Sequence, residues 1–490
     1  MSHVIGIDVG SQSIKGVLLD GTGTIVATGS SPLEMLHPAN GWAEQDPDSF
    51  TAGLADVIGQ VRAQCPTAAI DVVGMACQVD GVVPLDQLGR ALRPAIIWLD
   101  RRAASQADRL VEAVGADRLF ELTGLNADAS HTAPKMMWLR DEEPDVWRRT
   151  SVLAPVGAYL LAALTGEVAQ DAANASSTML FDLATGQFSE ELCTAAGIDP
   201  ALLPRILPST EVAGFVTEDA ARRFGLPVGC SVIVGTGDEH GGSFAAGALR
   251  PGVVVDVTGT AEPVTAAADN PVLDPSRVVE THGHAVPGRY LVENPGFVSG
   301  GSTLWLATQV LGVPQSAVFD LAAGAAAGAA GVRFLPTLSG STSPRWNDRM
   351  RGSFAGLSMN HDRRHLARAV LEGCAFALRD TVDVLDTLGL AGDEVRVVGG
   401  GARSRLWMQI KADVLGRPVR SVLADEATAH GAAMLAGVAG TLFRDCEEAV
   451  ERSVRLAPTP VEPDPACVAL YQDAYQGYRR LFDGVEEALA

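Results

Sequence analysis

Three short runs of small and hydroxyl-bearing residues, each closing an apolar stretch, carry the residue types that hold phosphate. The first is Val4-Ile5-Gly6-Ile7-Asp8-Val9-Gly10-Ser11-Gln12-Ser13-Ile14-Lys15-Gly16-Val17. It predicts a strand, a turn whose backbone N–H groups can face an anion, and a second strand. Gly10, Ser11, Gln12 and Ser13 form the turn, with Asp8 as an acid and Lys15 as a base beside it. The second run, Val253-Val254-Val255-Asp256-Val257-Thr258-Gly259-Thr260-Ala261, partly echoes the first about half the chain later. Similarity at that spacing predicts two related halves and not a solenoid. The third is Gly399-Gly400-Gly401-Ala402-Arg403-Ser404, between the apolar run Val395-Arg396-Val397-Val398 and a helical pattern over 406–415. Strand, glycine turn and helix start together suit a nucleotide. A nucleotide lying between two similar halves would need three such loops.

The elements that position these loops read as mixed α/β. Consecutive strands are predicted over residues 1–30, a helix over 47–62, a strand over 69–78 and helices over 103–121, 135–139 and 156–164. An apolar strand at 230–234 breaks into Gly235-Thr236-Gly237-Asp238-Glu239-His240-Gly241-Gly242 before an Ala-rich helix. Gly300-Gly301-Ser302-Thr303-Leu304-Trp305 predicts a helix start, and the Ala/Gly-rich tract 321–331 a packed helix, since alanine is a strong helix former. Neither a G-x-x-x-x-G-K-[ST] loop nor a G-x-G-x-x-G opening a helix after the first strand is present.

Composition bounds the partners. The 490 residues, 47% apolar and 20% charged, suffice for two or three domains with large cores. With 59 acidic against 37 basic residues the formal charge is −22, which opposes nucleic acid and anionic membranes and favours a small molecule. Seven scattered cysteines, with no C-x-x-C pair and no His cluster at zinc spacing, predict reduced and mostly buried thiols. No signal-peptide pattern or membrane-length apolar run is present, so a cytoplasmic location is expected.

Two longer patterns carry a resemblance. Ser130-His131-Thr132-Ala133-Pro134-Lys135-Met136-Met137-Trp138-Leu139-Arg140-Asp141-Glu142 is one; Gly352-Ser353-Phe354-Ala355-Gly356-Leu357, continuing through His365-Leu366 to Ala369-Val370-Leu371-Glu372, is the other. On these the chain resembles the FGGY carbohydrate kinase family over essentially its whole length. The resemblance implies two duplicated ribonuclease-H-like domains of the actin and sugar-kinase type around a deep cleft. Residues 1–247 would bind sugar and carry the catalytic base, and 248–490 would bind nucleotide. It further implies ATP-dependent phosphorylation of a terminal hydroxyl on a small ketopentose or related polyol.

The family's catalytic Asp falls on Asp238. A carboxylate in a glycine-rich turn after a strand can accept the proton of a hydroxyl attacking a γ-phosphoryl group, although a helix N-cap is the plainer use of such an Asp. Asp8 and Asp238 would hold Mg²⁺, Asp8 through water. Gly10, Ser11, Gln12, Lys15, Thr258, Gly259, Thr260, Gly300, Gly400, Gly401 and Ser404 would approach ATP. Ser11 stands where relatives usually carry Thr, and Leu304 replaces a polar adenosine contact of the glycerol branch. Gln78, Asp80, Trp98, Asp238 and Glu239 would contact the sugar. Asp80 stands in Ala76-Cys77-Gln78-Val79-Asp80-Gly81, where xylulokinases typically read Gly-Gln-Met-His-Gly, and branches acting on erythritol-like polyols and L-xylulose are closer there. Such a polyol or L-sugar kinase is therefore an alternative, as are a catalytically silent sensor and an ATPase of the same fold. His240 has no Ser or Cys nucleophile beside it, so no hydrolase triad is read. The expected partner is a small sugar or polyol, without nucleic acid or membrane, and a homodimer is left open.

Overall fold

The computed structural model describes residues 2–424 and 426–489. β-Branched apolar runs build the first sheet from β1 (Ser2–Val9), β2 (Ser13–Leu19), β3 (Ile25–Pro32) and β4 (Ala69–Cys77), completed by β5 (Val212–Phe215), β6 (Ser231–Ile233) and β7 (Thr236–Gly237). Its order is β5-β6-β4-β1-β2-β3, with β7 also pairing β4. β1, β2 and β3 form an antiparallel meander, and β4 runs parallel to β1.

The second sheet comprises β8 (Val254–Val257), β9 (Val264–Ala268), β10 (Glu280–Gly283), β11 (Tyr290–Asn294), β12 (Val395–Val398) and β13 (Val419–Ser421), in the order β10-β11-β9-β8-β12-β13. Around β8 the scheme repeats: β9 and then β11 antiparallel on one side, β12 and then β13 parallel on the other. The echo of Asp8 by Asp256 is thus a topological one, each acid lying on the strand where antiparallel pairing gives way to parallel pairing. The fold is a duplicated ribonuclease-H-like α/β architecture.

The helices follow from apolar periodicity and caps. Helix α1 (Pro47–Gln64) starts with Asp46 accepting the Asp48 N–H and buries Phe50, Leu54, Val57, Ile58 and Val61, one 3.6-period face, in the first core. Three further helices frame the site: α2 (Asp238–Ala245), α3 (Gly300–Trp305) and α4 (Arg405–Leu415). A further helix, α5 (Ala427–Ala439), belongs to the second half of the sequence yet packs on the first sheet. Glycines permit that approach: a Cβ on Gly6 would stand 2.1 Å from the Ala429 carbonyl oxygen, and one on Gly431 would stand 2.0 Å from that of Gly241. Helices α2 and α5 therefore meet backbone to backbone between the two sheets.

Two predicted elements differ. The helix over 103–121 is two helices, Ala104–Val114 and Ala116–Thr123, because Gly115 takes φ 89°. The tract 321–331 is helical only at its start, within Ser316–Ala323; beyond it Ala329 and Ala330 adopt φ 48° and 50° in a tight turn among glycines. There turn geometry overrides alanine's helix propensity. All seven cysteines are unpaired and five are buried. No helix among the described residues is long and apolar enough to cross a membrane.

Candidate active site

Ala76 of β4 pairs with Asp8 on one side and Thr236 on the other, so β1, β4 and β7 end at the same edge of the sheet. The residues beyond those ends converge: Gly10 and Ser11 after β1, Gln78 and Asp80 after β4, Asp238 and Glu239 after β7. Ligands of open α/β sheets bind beyond the carboxyl ends of parallel strands. Asp238 is the first residue of α2, and its Oδ1 accepts the Glu239 N–H at 3.0 Å. Burial, with Asp80 adding, raises its carboxyl to about 6, which leaves it ionised at neutral pH. Burial and then the Asp238 charge push Asp8 up to about 8 against the pull of Lys15. Two hard oxygen donors in one field, each with ionisation opposed by its surroundings, suit a Mg²⁺ ion bound by one or two carboxylates plus substrate phosphates.

The first loop is propped by amides. Gln78 Nε2 donates to Gln45 Oε1 at 2.8 Å and to the Gly10 carbonyl at 3.4 Å, and Gln45 Nε2 donates to the Ser11 carbonyl at 2.8 Å. Gln78 Oε1 is buried without a partner. Trp98, half-exposed, donates from Nε1 to Ser11 Oγ at 3.4 Å, which places it at this loop. Gln12 is exposed at the turn. The Lys15 ammonium lies 2.8 Å from Glu426 Oε2, directly before α5, and so ties the first hairpin to the second half.

Asp80 adopts φ 61°, a left-handed conformation that Asp tolerates better than most residues. Its carboxylate lies 3.3 Å from His131 Nδ1, and its carbonyl accepts from Lys135 Nζ at 2.7 Å. Burial opposes a charged imidazole, yet Asp80 raises His131 to about 9, whereas burial lowers Lys135 to about 8. Across the cleft the second half supplies Glu280, His282 and Glu293 from β10 and β11, all buried. His282 Nε2 lies 3.2 Å from Glu293 Oε1. Burial and then Glu293 hold Glu239 well above the usual carboxylate range, and burial pushes Glu293 up to about 7. Such a pair resists double ionisation.

On the second sheet, β8 and β12 end together, Val257 opposite Val398. The loops beyond them are stitched to each other: Thr258 N–H donates to the Val398 carbonyl at 2.9 Å, and Gly401 N–H to the Thr258 carbonyl at 3.3 Å. Gly300 N–H donates to the Gly259 carbonyl and Gly301 N–H to the Thr260 carbonyl, both at 3.0 Å. Gly259, Thr260 and Gly400 are exposed, whereas Thr258 and Gly401 are buried. Ser404 caps α4 by accepting the Trp407 N–H at 3.3 Å. Leu304 stands 45% exposed on α3, beside these loops.

This geometry has known counterparts. The N-terminal domain of the FGGY family of carbohydrate kinases matches residues 3–245, and its C-terminal domain matches residues 254–440. The chain belongs to the FGGY family of carbohydrate kinases. It is 30% identical to the xylulose kinase of Lactococcus lactis subsp. lactis, over 99% of this chain and 98% of that one. It is 33% identical to the glycerol kinase of Aromatoleum aromaticum, over 91% and 92%. Among solved structures, the xylulose kinase of Rhodospirillum rubrum superposes with a TM-score of 0.92 at 31% identity, covering 99% of both chains. The protein is accordingly a sugar kinase that uses ATP with Mg²⁺.

Glu280, His282, Glu293, Gln45 and Lys411 were not singled out by sequence reasoning. The signal present was a charge inside an otherwise apolar run, as Glu293 in Tyr290-Leu291-Val292-Glu293-Asn294, which a buried strand tolerates only with a partner.

Proposed function

We propose that this kinase transfers the γ-phosphoryl group of ATP to a terminal hydroxyl of a small ketopentose of the xylulose kind, with Asp238 as general base. The observation that carries the reading is the Asp238 carboxylate at the start of α2, at the strand ends where Asp8, Asp80 and Glu239 converge. Asp238 takes the hydroxyl proton as that oxygen attacks phosphorus, and the bond from phosphorus to the β–γ bridging oxygen breaks, releasing ADP. Asp8 and Asp238 would hold Mg²⁺, which balances the phosphate charge when bound. Gln78, Asp80, Trp98 and Glu239 would orient the sugar. Gly10, Ser11, Gln12 and Lys15 would face the phosphates from one half. Thr258, Gly259, Thr260, Gly300, Gly400, Gly401 and Ser404 would shape the nucleotide site in the other, with the halves divided near residue 248.

The Asp80–His131 pair supports the substrate class, because it restores an imidazole beside the loop position where xylulokinases typically carry one. ADP release measured across pentuloses, tetritols, pentitols and glycerol tests this. D-Xylulose as the best substrate is expected. A preference for a tetritol would overturn the substrate class, and ADP release independent of any sugar would overturn the kinase reading.

A further inference from the structure

Beneath the second-half loops lies an ionic cluster with no outlet to solvent. Lys411, on α4, is 1% exposed, and Asp256 and Glu262 are fully buried. Lys411 Nζ lies 2.5 Å from Asp256 Oδ2, 2.5 Å from Thr258 Oγ1 and 3.0 Å from Glu262 Oε1. Thr258 Oγ1 also donates to Asp256 Oδ1 at 2.9 Å. Glu262 accepts from the hydroxyl of Ser299, the residue directly before α3. The ammonium thus sits on the helix that follows the glycine turn 399–404. Its partners reach the loop 258–260 and, through Glu262, the start of α3.

We infer that Lys411 is a positioning residue for ATP binding, holding the loop 258–260, the start of α3 and the glycine turn 399–404 in one register through Asp256, Thr258, Glu262 and Ser299. This rests on the assignment of those loops to ATP. A lysine kept only for stability would be poorly chosen, because burying two carboxylates and one ammonium loses much of what their attraction gains. A single compact cation with three donors can instead bind groups from separate segments at once and fix the distances between them. Burial opposes the charge on Lys411, but Asp256 and Glu262 outweigh it and hold the ammonium above the usual lysine range, so the tether stays charged at working pH. The cluster also changes how Thr258 is read. Its hydroxyl is committed to Asp256 and Lys411, so Thr258 would set the loop's shape while exposed Gly259 and Thr260 meet the ligand.

The test is steady-state kinetics of the full-length enzyme with ATP and its best sugar. Lys411→Met and the milder Ser299→Ala are expected to raise KM for ATP, the first by roughly tenfold or more and the second severalfold. KM for the sugar is expected to stay within about twofold in both, since the cluster touches none of the sugar-facing residues. Lys411→Arg, which keeps the charge, is expected to recover part of the ATP affinity. Removing a buried partner can abolish folding; if Lys411→Met does not fold, Ser299→Ala decides. An unchanged KM for ATP in a folded variant, with only kcat or melting temperature lowered, would overturn the inference. A wild-type enzyme without sugar-dependent ADP release would instead overturn the underlying function, so the two failures are distinct.

Discussion

His131 Nδ1 lies 3.3 Å from Oδ1 of Asp80, and the two residues are 51 positions apart in the sequence. Lys135, one helical turn beyond His131, fixes the Asp80 backbone from the same side. The left-handed turn at Asp80 is therefore held at both its side chain and its carbonyl. The result is an acceptor and a donor side by side, and a hydroxyl of the proposed sugar substrate could satisfy either.

This pair makes stability depend on pH in a defined direction. His131 titrates near 9 when folded and near the ordinary 6.5 when unfolded, so the folded state holds the extra proton between these values. Its contribution is complete below about pH 6.5 and lost as pH rises through about 9. Urea midpoints of wild type and His131→Asn should therefore differ most at pH 6 and converge as pH rises through about 9. A gap of constant size across that range would refute the assignment.

Asp238→Asn keeps the size and hydrogen-bonding shape of the side chain but removes the base. Turnover is expected to fall by roughly 10²–10⁴-fold while sugar and nucleotide affinities change little. Isothermal titration of ADP and sugar beside a coupled ADP-release assay separates the two effects. Full activity in the variant would exclude Asp238 as the base.

Glu293 comes from the second half yet shares the environment of Glu239, next to Asp238. Glu293→Gln removes one carboxyl of this pair with little change in volume. KM for the sugar should rise roughly tenfold, as expected when a site built to hydrogen-bond a hydroxyl loses a charged partner, with KM for ATP unchanged. An equal rise in both constants would point to a general loss of domain closure instead.

Adjacent glycines of the third loop should respond differently. A Cβ on Gly401 would stand 2.3 Å from Thr258 Cγ2, whereas one on Gly400 would meet no protein atom within 4 Å. Gly401→Ala is expected to lower the melting temperature, because overpacking costs about 1–3 kcal/mol. Gly400→Ala should melt like wild type and raise KM for ATP, since its added methyl group faces the space assigned to the nucleotide. Thermal melts with and without ADP distinguish these outcomes.

The sequence by itself determined the class of protein, because the information is local. Strand, small-residue turn and strand around Asp8, the echo at Asp256, and the strand–glycine–helix passage after Val398 are each written within about fifteen residues, and the structure holds them at the strand ends where they were expected. Asp238 lies in a glycine-rich turn of the same local kind, but its reading as the base came from the family resemblance. Turn geometry was harder to see: the alanine tract 321–331 bends where helix propensity alone predicts continuation, since alanine's preference is weak beside the turn its neighbouring glycines allow.

Only the tertiary structure decided which distant residues share a site. Glu293 reaches Glu239, His131 reaches Asp80, and Lys411 reaches Asp256 and Thr258 because folding brings segments tens to more than a hundred and fifty residues apart together. No periodicity encodes such pairings. They depend on strand register and on the close approach of α5 to β1 that the missing side chain of Gly6 permits. Burial then alters their chemistry: groups ordinary in water become a raised carboxyl or a locked ammonium once solvent is removed from around them.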